Sequence, residues 1–144
     1  MRSYLVLRVI AKLLIPFILV FALYVQFHGD FGPGGGFQAG VIAAAGVIFY
    51  ALIYGLPTTR RLLPDWVVET MVALGVLVYA GVGVAALLLG GNFLDYSVLA
   101  RDPVAGQHLG ILLVEAGVGI TVAGVMLTIF YLFAGRSRGR HSER

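Results

Sequence analysis

His28-Gly29-Asp30-Phe31-Gly32-Pro33-Gly34-Gly35-Gly36-Phe37-Gln38-Ala39-Gly40 separates two long apolar runs, and its reading decides the fold. Six of these thirteen residues are glycine. Glycine reaches backbone angles closed to other residues, and Pro33 has no amide proton, so neither a helix nor a strand continues through the stretch. The apolar pattern resumes at Phe37, which makes the turn tight. Irregular backbone beside membrane-length segments is tolerated only where protein or trapped water satisfies it. The loop therefore points to a packing partner.

Outward from this loop, four runs have the length and apolarity to cross about 30 Å of hydrocarbon. They cover about Tyr4–Phe27, Phe37–Leu56, Trp66–Leu89 and Gly110–Phe133. The whole chain is 144 residues, 60% hydrophobic and 12% charged, with a mean hydropathy of +0.96. A water-soluble domain of this length has too little interior to hide that much apolar surface. The expectation is an all-α integral membrane protein, a four-transmembrane-helix bundle in one domain over residues 1–135. A basic tail over residues 136–144 is expected to be disordered and drawn to anionic lipid. Cysteine is absent, so disulfides and thiolate metal sites are excluded. The first run follows Arg2 and Arg8 as a signal peptide would. Its apolar part is too long for one and no small-residue cleavage site follows, so it is expected to be retained.

A sequence pI near 9.5 raises nucleic acid as a partner, but the cations lie at the ends of the apolar runs, where they act as topology signals. Arg2, Arg8, Lys12, Arg60, Arg61, Arg136, Arg138, Arg140 and Arg144 share one side of a four-span chain, leaving only Arg101 opposite. The positive-inside rule then puts both termini in the cytoplasm and the glycine loop outside. Arg8, Lys12 and Pro16 stack on one helix face, and the two cations are expected to reach back to the headgroups. Gly90–Leu109, with Asn92, Asp95, Asp102 and His108 among apolar residues, reads as a short surface helix or a folded-over loop. Small residues recur along the second run (Gly36, Gly40, Ala44) and the third (Gly75, Gly81, Gly83, Ala85), so other helices can come close.

Gly34, Gly36 and Ala39 satisfy a G-x-G-x-x-A pattern, but that motif needs a strand before it and a soluble helix after it. A phosphate-binding loop also needs a lysine, and Lys12 is the only one. Nucleotide binding is set aside on both counts. No nucleophile–base pairing points to an enzyme, and no catalytic residue is assigned. His28, Asp30 and His108 share the outer side, but their spacing matches no metal motif. Glu115 stands apart as a carboxylate about five residues into the fourth run, about 8 Å along it at 1.5 Å per residue. Ionised groups at such depth are costly and face protein or water. Two readings stay open: a group that exchanges a proton for a cation, or a carboxyl near the interface bonded to a neighbouring helix or to His108. Gly117, Gly119, Thr121 and Gly124 follow on the same helix, so the ion-path candidates are Glu115, Thr121, Asp30, His28 and His108.

Pro33-Gly34-Gly35-Gly36-Phe37, within Phe27–Ile42, resembles the B-type subunits of the multisubunit Mrp/Mnh-type sodium/proton antiporters. Size, four spans and the loop's position extend the likeness over nearly the whole chain. Members of that family often carry a histidine three residues before the proline, where this chain has Asp30, with His28 two residues earlier. Pro33, Gly34, Gly35, Gly36 and Phe37 match directly, and with Gly40 they form the expected packing motif. The resemblance implies a multi-pass subunit of a bacterial inner-membrane assembly related to the membrane arm of respiratory complex I. That assembly exchanges cytoplasmic sodium, or another monovalent cation, for external protons, driven by the proton-motive force. The implied partners are other membrane subunits, the lipid bilayer, and Na+ and H+ as transported ions, with no cofactor and no nucleic acid. Two alternatives are a membrane-arm subunit of a redox complex such as a membrane-bound hydrogenase, and a small self-assembling channel.

Overall fold

A computed structural model describes residues 2–139. Five α-helices follow in order: α1 (Arg2–His28), α2 (Gly36–Tyr54), α3 (Leu56–Leu62), α4 (Asp65–Leu88) and α5 (Pro103–Gly139), with a 3-10 turn at Tyr96–Leu99. Four of them, α1, α2, α4 and α5, are long and apolar enough to cross a membrane. The all-α, four-span architecture is as expected. Three boundaries differ.

The first is at the end of α2. Gly55 takes φ +90°, a conformation open to glycine, and closes the helix two residues before Pro57. Pro57 lies in the first turn of α3, where its missing amide proton costs nothing. The expected Thr58–Asp65 break is therefore largely a seven-residue helix. The second is at the start of α5, which begins seven residues before Gly110. Asp102 accepts from the Val104 amide at 3.4 Å, and Pro103 supplies the first-turn φ. The third is at its far end: α5 runs on through Arg136 to Gly139, so the start of the expected tail is helical. Residues 140–144 lie outside the described residues. At 37 residues α5 is about 55 Å long, well beyond the hydrocarbon thickness.

The principal packing runs α1 on α2, α2 on α5, and α5 on α4. Small residues set each crossing. On the α2–α5 seam, a Cβ on Gly40 would lie 2.5 Å from the Gly119 carbonyl oxygen and 2.9 Å from Val122 Cβ. On the α4–α5 seam, one on Gly117 would lie 2.8 Å from the Gly75 carbonyl oxygen. Backbone therefore meets backbone at both seams, which only residues without a side chain allow. Gly81 differs from its neighbours in the α4 series, because a Cβ there meets nothing within 4 Å.

At the end bearing α3, Ala44, Val68, Leu127 and Tyr131 form the core cluster. Tyr131 donates its hydroxyl to the Leu63 carbonyl at 3.0 Å, and the Arg60 guanidinium lies 5.2 Å over its ring. Arg60 also donates to the Tyr131 carbonyl at 3.3 Å, while its Nε lies 3.2 Å from Asp65 without aiming its proton there. Arg8 lies 6.0 Å over the Tyr54 ring, whose hydroxyl donates to the Arg8 carbonyl at 2.9 Å. Lys12, one turn on, is exposed.

At the opposite end, the Asp95 carboxylate accepts from the Ser97 hydroxyl and amide. Those bonds hold its pKa below the ordinary aspartate value. The Phe93 ring fills the space that a side chain at Gly83 would need.

Candidate functional site

The glycine loop and Glu115 are one site. The loop leaves α1 through a turn in which the Phe31 and Gly32 amides donate to the His28 carbonyl at 3.0 and 3.2 Å. It folds back against α1, where the Gly35 amide donates to the Val25 carbonyl at 3.2 Å. Gly35 has φ +124° and precedes the first residue of α2. Its position requires glycine for the backbone alone.

Space requires glycine as well. A Cβ on Gly29 would lie 2.8 Å from both carboxylate oxygens of Glu115, and one on Gly35 would lie 2.9 Å from Oε1. At Gly36 a side chain would drive into the Glu115 backbone carbonyl. Two loop glycines and the first residue of α2 thus form a socket around one residue of α5. Gly29 lies outside the motif legible in the sequence. Its only signal there is its place at the end of an apolar run, opposite a carboxylate on another span.

This contact sets the level of Glu115. The carboxylate sits where α1 ends and α2 begins, covered by the loop between them, rather than at a depth counted from Gly110. It is partly buried. The ion pairs among the described residues are Arg60–Asp65 and Asp30–His108, and neither includes Glu115. One turn further along α5, a Cβ on Gly119 would lie 2.8 Å from the Gln26 amide oxygen, and Gln26 Nε2 is buried without a partner. In the sequence, Gln26 is marked only as a lone polar residue in an apolar run, which singles out no role for it.

The remaining expected residues divide. Asp30 and His108 do meet, through Oδ2 and Nδ1. His108 therefore serves Asp30 rather than Glu115. His28 stacks on Tyr24 at 5.3 Å and lies against Gly32 of the loop. Among the described residues no three His, Asp or Glu side chains converge as metal ligands. Thr121 belongs to the other side of α5. Its hydroxyl lies 3.4 Å from the Val72 carbonyl and lines an apolar hollow of about 180 Å³ with Gly75 and Gly117. Six residues along a helix turn the side chain about 120° from Glu115, which explains the separation. Phe37 is 62% exposed, so it anchors no contact within this chain.

Four membrane-length helices with backbone-close seams, and a carboxylate held under an irregular turn, make this a small multi-pass membrane protein. Comparison with known proteins gives the family. Residues 6–128 match the family described as "Domain related to MnhB subunit of Na+/H+ antiporter". Proteins from Staphylococcus aureus strains Newman, JH1 and Mu3, each named "Putative antiporter subunit mnhB2", are 32% identical over 134 residues. The alignment covers 90% of this chain and 94% of each relative. The chain belongs to the MnhB family of subunits of multisubunit Na+/H+ antiporters, and it is a multi-pass bacterial membrane protein.

Proposed function

We propose that within the antiporter this subunit contributes Glu115 to the ion path at the outer face, with both termini cytoplasmic. The observation that carries the reading is the socket: a carboxylate at the end of two membrane helices, enclosed by Gly29 and Gly35, with neither ion pair of the described residues reaching it. A charged carboxylate in a membrane span is costly to leave without a partner, so a proton or a cation is a suitable companion for it. One group that takes either ion in turn is the minimum device for exchange. Gln26, with an amide oxygen facing α5 and an unpaired NH2 group, supplies polar character one turn further in. The orientation rests on the distribution of Lys and Arg.

Two substitutions separate transport from scaffolding. Glu115→Gln keeps the shape and most hydrogen-bond capacity but removes titration, while Glu115→Ala removes both. Sodium-driven dye dequenching in everted vesicles, measured across pH beside recovery of the complex, is the assay. The expected result is loss of exchange in both variants with the complex assembled. Full exchange by Glu115→Gln at every pH would leave Glu115 as scaffolding.

A further inference from the structure

We propose that Asp30 and His108 form a proton-sensitive latch that holds the glycine loop closed over Glu115. The latch rests on the reading of Glu115 as the ion-handling group. Its own geometry is independent of that reading.

The loop's backbone bonds run to α1, through the His28 and Val25 carbonyls. Toward α5 it presents glycines, which offer no side chain to hold on with. Among the described residues, Asp30 to His108 is the only side-chain hydrogen bond that ties the loop to α5. The Phe31 ring lies over the same imidazole, at 6.4 Å between centroids and 24° between planes. Asp30 follows Gly29, which touches the Glu115 carboxylate, so a loop released at Asp30 is released beside Glu115 as well.

Exposure fits a device read from the solvent side. The His108 side chain is 55% exposed and that of Asp30 is 22% exposed. The imidazole is thus the more open of the two to solvent, and the carboxylate is the more covered. Asp30 from the loop is the charged partner of His108; Glu115 lies two turns along α5, and Arg101 and Asp102 precede the helix. His28, the other imidazole at this end, is stacked on Tyr24.

The direction follows from the chemistry. A protonated imidazole gives Asp30 a charge-assisted bond, and a neutral one leaves an ordinary hydrogen bond of roughly half the strength. The latch is strongest while the imidazole is protonated and weakens once it is neutral, so it is tighter at low pH on the loop side. For a partly exposed pair the change in loop closure is roughly two- to fivefold. An acidic outer face then keeps the loop seated on Glu115, and an alkaline one frees it.

Amide hydrogen exchange on the intact purified complex tests this. The Phe31, Gly32 and Gly35 amides bond to α1 carbonyls in the folded loop, and their protection reports how firmly the tie to α5 holds that fold in place. After correction for the intrinsic pH dependence of exchange, their protection should fall about two- to fivefold between about pH 5.5 and 8. His108→Gln keeps a donor for Asp30 but does not titrate, so its protection should be flat over the same range. Asp30→Asn should be flat and lower. Flat protection in the unsubstituted complex would overturn the latch, and so would an undiminished pH dependence in His108→Gln. Neither result touches the transport assay on Glu115→Gln, so the latch and the role of Glu115 stand or fall separately.

Discussion

The closest test of this architecture is a methyl group added to α2. At Gly40, an alanine Cβ would sit 2.5 Å from the Gly119 carbonyl oxygen, where ordinary contact begins at 3.4 Å. The obstruction is backbone on one side and the β-carbon of Val122 on the other, so no flexible tip can swing clear. To accommodate it, α2 and α5 must separate by nearly an ångström along a seam that also carries Gly36 and Glu115. Overpacking of this kind costs about 1–3 kcal/mol, against a gain of at most ~1 kcal/mol from the better helix propensity of alanine. A net loss of about 1.5 kcal/mol corresponds to roughly 3–6 °C in thermal midpoint. Gly81→Ala supplies the control, since the same methyl group there meets nothing within 4 Å and should hold or raise stability, by at most ~1 kcal/mol from helix propensity. The assay is the recovery of intact complex by size exclusion after stepped heating in mild detergent. If both variants lose complex at the same temperature, the backbone-close α2–α5 seam is refuted.

Three further substitutions probe other parts of the molecule. Gly35→Ala places a side chain at φ +124° and against Glu115 Oε1; backbone strain of about 1–3 kcal/mol should lower recovery of the complex, and exchange in everted vesicles should fall further than recovery does. Tyr131→Phe removes the bond to the Leu63 carbonyl and should cost about 0.5–1.5 kcal/mol, read as a lower midpoint in the same heating assay. Asp95→Ala should speed hydrogen exchange at the Ser97 amide, which loses its side-chain acceptor. Because folding holds the Asp95 carboxyl below its ordinary pKa, its contribution is present at neutral pH and is lost as pH falls through that lowered value. After correction for the intrinsic pH dependence of exchange, the Ser97 amide of the unsubstituted protein should lose the same protection in acid.

The four spans were legible because a bilayer imposes one requirement that composition reveals directly, a run of about 20 apolar residues. What the runs could not reveal was where polar ends continue as helix. The α5 start at Pro103 was written in Asp102-Pro103, a side-chain acceptor followed by a residue suited to a first turn, yet hydropathy hides it behind Gln107 and His108. Likewise Pro57 reads as a breaker when the span alone is considered, whereas after Gly55 it opens a new helix. Capping chemistry, not apolarity, decides both boundaries.

The site was half legible for a different reason. Glu115 is conspicuous as a carboxylate in a span, and the glycine loop as an interruption, so each stands out by itself. Their union depends on which faces of α1, α2 and α5 meet, and helices with apolar residues all round carry little information about that. Small residues say that a neighbour comes close without saying which neighbour. Gly36 and Gly40 face Glu115 and Gly119, while Gly75 takes Gly117 and Thr121. Thr121, close to Glu115 in sequence, consequently goes to α4, and Gln26, remote in sequence, comes to α5. Seen from Glu115, the loop glycines are not equivalent. Gly29 and Gly35 make room for the carboxylate and Gly36 for its backbone, whereas Gly34 faces the Val25 carbonyl and Gly32 the His28 ring. A loop built only to turn the chain has no need of two glycines against one carboxylate. Their placement brings the loop backbone against the carboxylate of Glu115, and the Asp30–His108 contact ties the same loop to the same helix.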